Sequence, residues 1–148
     1  FEIIPGVSSF VAAAARVKTE FTLPGVSQTI IITRKEGRTG RSEGGKIAEL
    51  ARHRASMAIF LSIQSLAQVV EELLTGYDEN TPIAVVYKAT WPDEKIVRGT
   101  LKNIVEKVAG EKIDRHAQIL VGDFMGSQYE LSKLYDAAFS HMYRSGKE

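Results

Sequence analysis

The stretch Pro82-Ile83-Ala84-Val85-Val86-Tyr87, Lys88-Ala89-Thr90-Trp91-Pro92-Asp93-Glu94, Lys95-Ile96-Val97-Arg98-Gly99-Thr100 decides the fold class. Its first part is a nearly continuous apolar run, the pattern of a strand buried on both faces. Pro92 then marks a turn over Lys88–Glu94. The last part resumes as a strand whose polar residues predict partial exposure. So short a turn cannot carry a crossover, so the two strands pair antiparallel and the sheet is expected to be mixed.

Working outward, Gln28–Thr33 and Met57–Ser62 read as two further buried strands, and Gln118–Gly122 as the fifth. Helices are predicted between them. The alanine run after Ser8-Ser9 suits a helix to Val17, with Ser8 able to cap its free amides. A second helix is predicted from about Lys46 to Arg54. Ser65 and Gln68 have capping-box spacing and Gly76 offers a left-handed stop, which predicts a helix over Leu66–Thr75. Thr100 is placed to cap a helix over Leu101–Ala109 that ends at Gly110. The tail from Asp123 is polar and aromatic, with at most a short helix near Leu131–Tyr135. Strands alternating with helices define an α/β class: a mixed, roughly five-stranded sheet flanked by helices, in one domain over residues 1–148.

The composition narrows the function classes. The chain has 148 residues, enough to bury roughly 70% of the extended chain's surface on folding. Lys and Arg total 19 against 18 acidic residues, which excludes a generally basic nucleic-acid binder. The absence of cysteine excludes a disulfide scaffold, a thiolate zinc site and a cysteine nucleophile. No apolar run reaches the ~18 residues of a membrane span, and no secretory signal is visible, so a cytoplasmic protein is expected. The chain opens at Phe1, on a segment that reads as a strand end entering a turn; a piece of a longer protein is expected.

Self-contained catalytic motifs are missing: there is no Walker loop, G-x-G-x-x-G, G-x-S-x-G or H-E-x-x-H. His53, His116 and His141 stand singly, without metal-ligand spacing, and no metal site is expected. Asp93 and Glu94 are adjacent, and neighbours in an extended segment point opposite ways, so they make a weak acid/base pair. The basic loop Arg34–Arg41 sets three arginines and a lysine among glycines directly after a buried strand. Such a loop grips carboxylates or phosphates, or is simply solvated. Ser8 and Ser9 at a helix start either cap it or meet an anion or polar ligand.

Beyond these readings, the sequence resembles a known family. Pro5-Gly6-Val7-Ser8-Ser9 with its alanine run, and Thr90-Trp91-Pro92-Asp93-Glu94-Lys95 through Gly99-Thr100-Leu101, resemble the C-terminal half of the tetrapyrrole methylases. Gln28–Thr39, Val85–Arg98 and Ser132–Asp136 resemble the branch that acts on precorrin-4. The resemblance runs over nearly the whole chain. It implies S-adenosylmethionine as methyl donor, a precorrin as acceptor at ring carbon 11, cobalamin synthesis as the setting, a partnering N-terminal domain and a homodimer. It implies donor contacts from Ser8, Ser9, Leu61, Ala89 and Gly122, and macrocycle contacts from Arg34, Arg38, Lys88 and Trp91. It names no catalytic base; Asp93 and Glu94 are the only suggestions. The alternatives are another tetrapyrrole methylase, acting on uroporphyrinogen or another precorrin, and a non-catalytic anion-binding or dimerisation module.

Overall fold

The computed structural model describes residues 1–36, 46–127, 130, 136, 138–140 and 142–145. In chain order the elements are α1 (Ser9–Val17), β1 (Ile30–Arg34), α2 (Ile47–Ala51), β2 (Ser56–Phe60), α3 (Leu66–Leu73), β3 (Pro82–Tyr87), β4 (Lys95–Thr100), α4 (Ile104–Ala109) and β5 (Ala117–Val121). Their strands form one five-stranded mixed sheet in the order β1-β2-β5-β3-β4. β1 and β2 are parallel; β2 with β5, β5 with β3, and β3 with β4 are antiparallel. The last strand is therefore inserted between β2 and β3.

Alternation along the strands sorts the core into two layers. Met57, Ile59, Ile83, Val85, Ile119 and Val121 face α2, α3 and α4. Ala58, Ala84, Val86 and Leu120 face α1, whose Ala13, Ala14 and Val17 lie flat against them with Phe21 and Phe124. Small residues on both sides allow the helix to approach closely. Among the described residues, no helix is long and apolar enough to cross a membrane.

Several local expectations shift. The first strand is not buried on both faces: β1 is an edge strand, and Ile30 and Ile32 are exposed. Ser8 occupies the N-cap position of α1 without a side-chain cap; its carbonyl instead accepts the Val11 and Ala12 N–H groups. The Ser65–Gln68 capping box does not form either. Gly76 is not left-handed; a Cβ there would run into the backbone carbonyl of Ala51. Its value is close approach between α2 and the end of α3. The expected short helix near Leu131–Tyr135 lies outside the described residues.

Candidate functional site

β2 and β3 end, and β5 begins, at one end of the sheet. A cleft of about 720 Å³ opens there. Its walls come from residues before and within α1 (Val7, Ser9, Ala12), from the exit of β2 (Phe60, Leu61, Ile63, Gln64) and from the β3 exit (Val86, Lys88, Ala89, Thr90, Trp91). The approach to β5 closes it with Asp114, Arg115, His116, Ala117 and Gln118. A mostly apolar cleft of this size with a few convergent polar groups suits one small organic ligand.

The backbone at this rim is unusual. Leu61, Lys88, Thr90 and His116 all have positive φ, at 50°, 46°, 73° and 51°. Non-glycine residues rarely adopt that region, and such strain gathers where a fold must present groups to a ligand. Each case has a visible restraint. The buried Ser62 hydroxyl donates to the Phe60 carbonyl at 2.6 Å and accepts the Lys35 N–H at 2.8 Å, bracketing Leu61. This turn also ends β2 at Phe60, two residues before the predicted Ser62. Leu61 is left 81% exposed, a large apolar side chain offered to the cleft. The Lys88 N–H donates to the His116 carbonyl at 2.9 Å, tying two of the strained residues together. Thr90 is held by Glu94, whose carboxylate accepts the Thr90 N–H at 2.6 Å and the Arg16 Nε at 2.8 Å.

The ionisable groups at the rim are mutually neutralised. Lys88 Nζ lies 2.5 Å from Asp93 and stands over the Tyr87 and Trp91 rings, 5.1 and 5.4 Å from their centroids. The Asp93 hydrogen bond, with Tyr87 adding, holds the Lys88 ammonium above its ordinary range, and Lys88 in turn holds Asp93 below the usual carboxylate range. Glu94 is also held low, first by the Thr90 N–H and then by Arg16. Arg115 pairs with Asp114 at 2.9 Å. Asp93 and Glu94 are thus committed as ionised partners of cations and of the backbone, which suits neither to proton abstraction.

The structure brings Ser9, Leu61, Ala89, Lys88 and Trp91 to this cleft. Ser8 stands between the lining residues Val7 and Ser9 in sequence but is not itself part of the lining. Arg34 ends β1 in register with Phe60, at the same end of the sheet but outside the cleft wall. Gly122 is not brought there. It follows the far end of β5, its N–H donating to the Pro82 carbonyl at 3.0 Å, roughly 17 Å of strand away from the cleft. Its φ of 138° and its packing against Ala55, Ser56 and Phe124 give it a structural reason for being glycine. Arg38 lies outside the described residues. Sequence reasoning missed the segment Asp114–Gln118, because insertion of β5 between β2 and β3 is what carries it to the cleft. The only local trace was Gln118, a polar residue opening an apolar strand.

The cleft is built at strand ends, with small, apolar and strained residues on its walls. Residues 1–105 match the family model of the tetrapyrrole (corrin/porphyrin) methylases, and the chain belongs to that family. It is 57% identical over 97% of its length to the cobalt-precorrin-4 C(11)-methyltransferase of Methanocaldococcus jannaschii, covering 56% of that protein. It is 47% identical over 99% of its length to the precorrin-4 C(11)-methyltransferase of Pseudomonas aeruginosa, covering 59% of that protein. The chain therefore spans less than two thirds of these relatives. A crystal structure of a cobalt precorrin-4 methyltransferase, described as a cobalamin biosynthetic enzyme, superposes with a TM-score of 0.80 at 46% identity, over 84% of this chain and 52% of that one.

Proposed function

We propose that this chain is the C-terminal domain of an S-adenosylmethionine-dependent methyltransferase that methylates carbon 11 of precorrin-4 in cobalamin biosynthesis. The observation that carries the reading is the convergence of Ser9, Leu61, Ala89, Lys88 and Trp91 on one cleft, in a chain whose relatives at 57% and 47% identity bear that activity in their names. The cleft fits the donor by chemistry as well as size. Leu61, Ile63 and Ala89 offer an apolar wall to an adenosine, and Ser9 offers a hydrogen bond to one of the donor's polar groups. The donor supplies an already activated methyl group, so the protein needs no strong nucleophile. The chain's residues align the partners and exclude water; such orientation contributes on the order of 7–11 kcal/mol.

Trp91, 60% exposed at the rim, offers a face for the macrocycle, and Arg34 and Arg38 offer cations for its carboxylates. Lys88 joins them by exchanging Asp93 for a substrate carboxylate. The relatives' greater length supports an N-terminal domain that closes the opposite wall. The exposed Ile30 and Ile32 on an edge strand support packing against further polypeptide, in a cytoplasmic homodimer.

The test is transfer of labelled methyl from S-adenosylmethionine to precorrin-4, with and without cobalt, by the complete polypeptide. Transfer to carbon 11 is expected. Transfer to uroporphyrinogen instead, or binding of neither ligand, overturns the proposal.

A further inference from the structure

Across the α1-facing layer of the sheet, the central strands present Ala58, Ala84, Val86 and Leu120, all apolar. Gln118 stands in the same layer, paired with Val86 across the ladder, and is only 4% exposed. An amide there is costly to bury unless it is satisfied, and a hydrophobic residue would fill the layer without that demand. Gln118 is satisfied in one orientation. Its Nε2 donates to the Ile59 carbonyl at 3.0 Å, and a carbonyl can only accept. Oε1 is thereby turned toward the first turn of α1, where it accepts the Ser9 hydroxyl proton at 3.3 Å. With that proton committed, the Ser9 oxygen has only lone pairs left for the cleft.

We infer that Gln118 is a positioning residue that fixes the Ser9 hydroxyl as a hydrogen-bond acceptor, so that this corner of the cleft takes a ligand's N–H or O–H donor rather than an anion. The inference rests on the methyltransferase reading for its ligand: S-adenosylmethionine carries such donors in its ribose hydroxyls and its ammonium group. It also narrows the ligand that the sequence left open at Ser9, an anion or a polar group. The start of a helix alone favours an anion; the Gln118 relay reverses that preference at the Ser9 side chain.

The experiment is calorimetric titration of the complete polypeptide with S-adenosylhomocysteine, for wild type, Gln118→Leu, Ser9→Ala and the double variant, with melting curves to confirm folding. Gln118→Met serves if the leucine variant does not fold. Each single variant is expected to weaken binding about threefold to tenfold, as for one neutral hydrogen bond. The double variant is expected to be no weaker than the weaker single one. Unchanged affinity in Gln118→Leu, or losses that multiply in the double variant, overturn the inference. A ligand-free readout separates it from the reading of function. The Ser9 χ1 rotamer, measured by NMR couplings, is expected to be single in wild type and averaged in Gln118→Leu. If wild type binds no S-adenosylhomocysteine, the methyltransferase reading falls; the rotamer result then upholds the Ser9–Gln118 relay if it changes and overturns it if it does not.

Discussion

The two ends of the same sheet are finished in different ways. At the far end, where β2 and β3 begin and β5 stops, polar groups are folded into the core. The Tyr77 hydroxyl donates to the Ala55 carbonyl, the buried Ser56 hydroxyl donates to the Phe21 carbonyl at 2.5 Å, and Gly122 lets the chain turn against Ala55 and Ser56. At the cleft end, strained backbone is left standing, Leu61 and Trp91 are exposed, and the ion pairs are only partly covered. One end holds the protein together; the other keeps groups available that folding alone would have buried. The comparison predicts that substitutions at the far end act on stability and those at the cleft end act on binding.

The largest effect belongs to Gly76→Ala. The new methyl group meets the Ala51 backbone rather than the tip of a flexible side chain, so α2 and α3 must separate. A loss of about 3 kcal/mol is expected in urea unfolding. A loss below about 0.5 kcal/mol would show that the contact relaxes freely, and the rigidity assigned to this end would be wrong. Gly122→Ala comes next. At φ 138°, with Phe124 Cδ1 3.1 Å from the added Cβ, it is expected to cost about 2 kcal/mol. Affinity for S-adenosylhomocysteine in the complete polypeptide should not change. A selective loss of affinity at full stability would restore the donor-contacting role that the family resemblance implied.

Leu61→Asn reverses the pattern. Asparagine tolerates the left-handed region better than leucine does, so relief of strain offsets what little packing an 81% exposed side chain makes. The melting temperature should stay within a degree or two, while donor affinity falls about tenfold, the equivalent of about 1.5 kcal/mol of lost apolar contact. Equal loss of stability and binding would show Leu61 to be part of the core.

How much of this division was legible before folding depends on range. The strands and their order along the chain follow from local apolar runs, and the Lys88–Glu94 turn fixed the antiparallel pairing of β3 and β4. Ser9, Leu61, Ala89 and Trp91 stood out through family resemblance. The insertion of β5 is a non-local pairing that no short window encodes. The end of β5 at Gly122 is legible, but not that this end lies away from the cleft; nor is it legible that the start of β5, with Gln118 and the preceding Asp114–His116, lines the cleft. The edge position of β1 was hidden for a related reason: Ile30, Ile31 and Ile32 read as doubly buried, but only Ile31 packs against the core.

The smallest effect is also the one that sets the two ends most directly against each other, because their key groups titrate in opposite directions. At the cleft, Glu94 ties the Lys88–Glu94 turn to α1 through Thr90 and Arg16, and these partners hold its carboxyl below the ordinary range. A depressed carboxyl stabilises the fold above its unfolded pKa of about 4.3, and the contribution disappears as the pH falls through the lowered folded value. At the far end, burial pushes the Tyr77 phenol up, and the negative charge of Asp123 adds to it. A raised phenol stabilises the fold below its unfolded pKa of about 10, and that contribution is lost as the pH rises beyond it. The cleft should therefore loosen first in acid and the far end first in alkali. Carbon-detected NMR should place the Glu94 midpoint below the ordinary glutamate value, with the Thr90 amide shift following it. Because the Arg16–Glu94 pair is partly solvated, Glu94→Gln should lower neutral-pH stability only slightly, and it should abolish the acid step at Thr90. A Thr90 amide that ignores the Glu94 titration would mean that the turn is held by something other than this carboxylate, and the strained rim would lose its restraint at that residue.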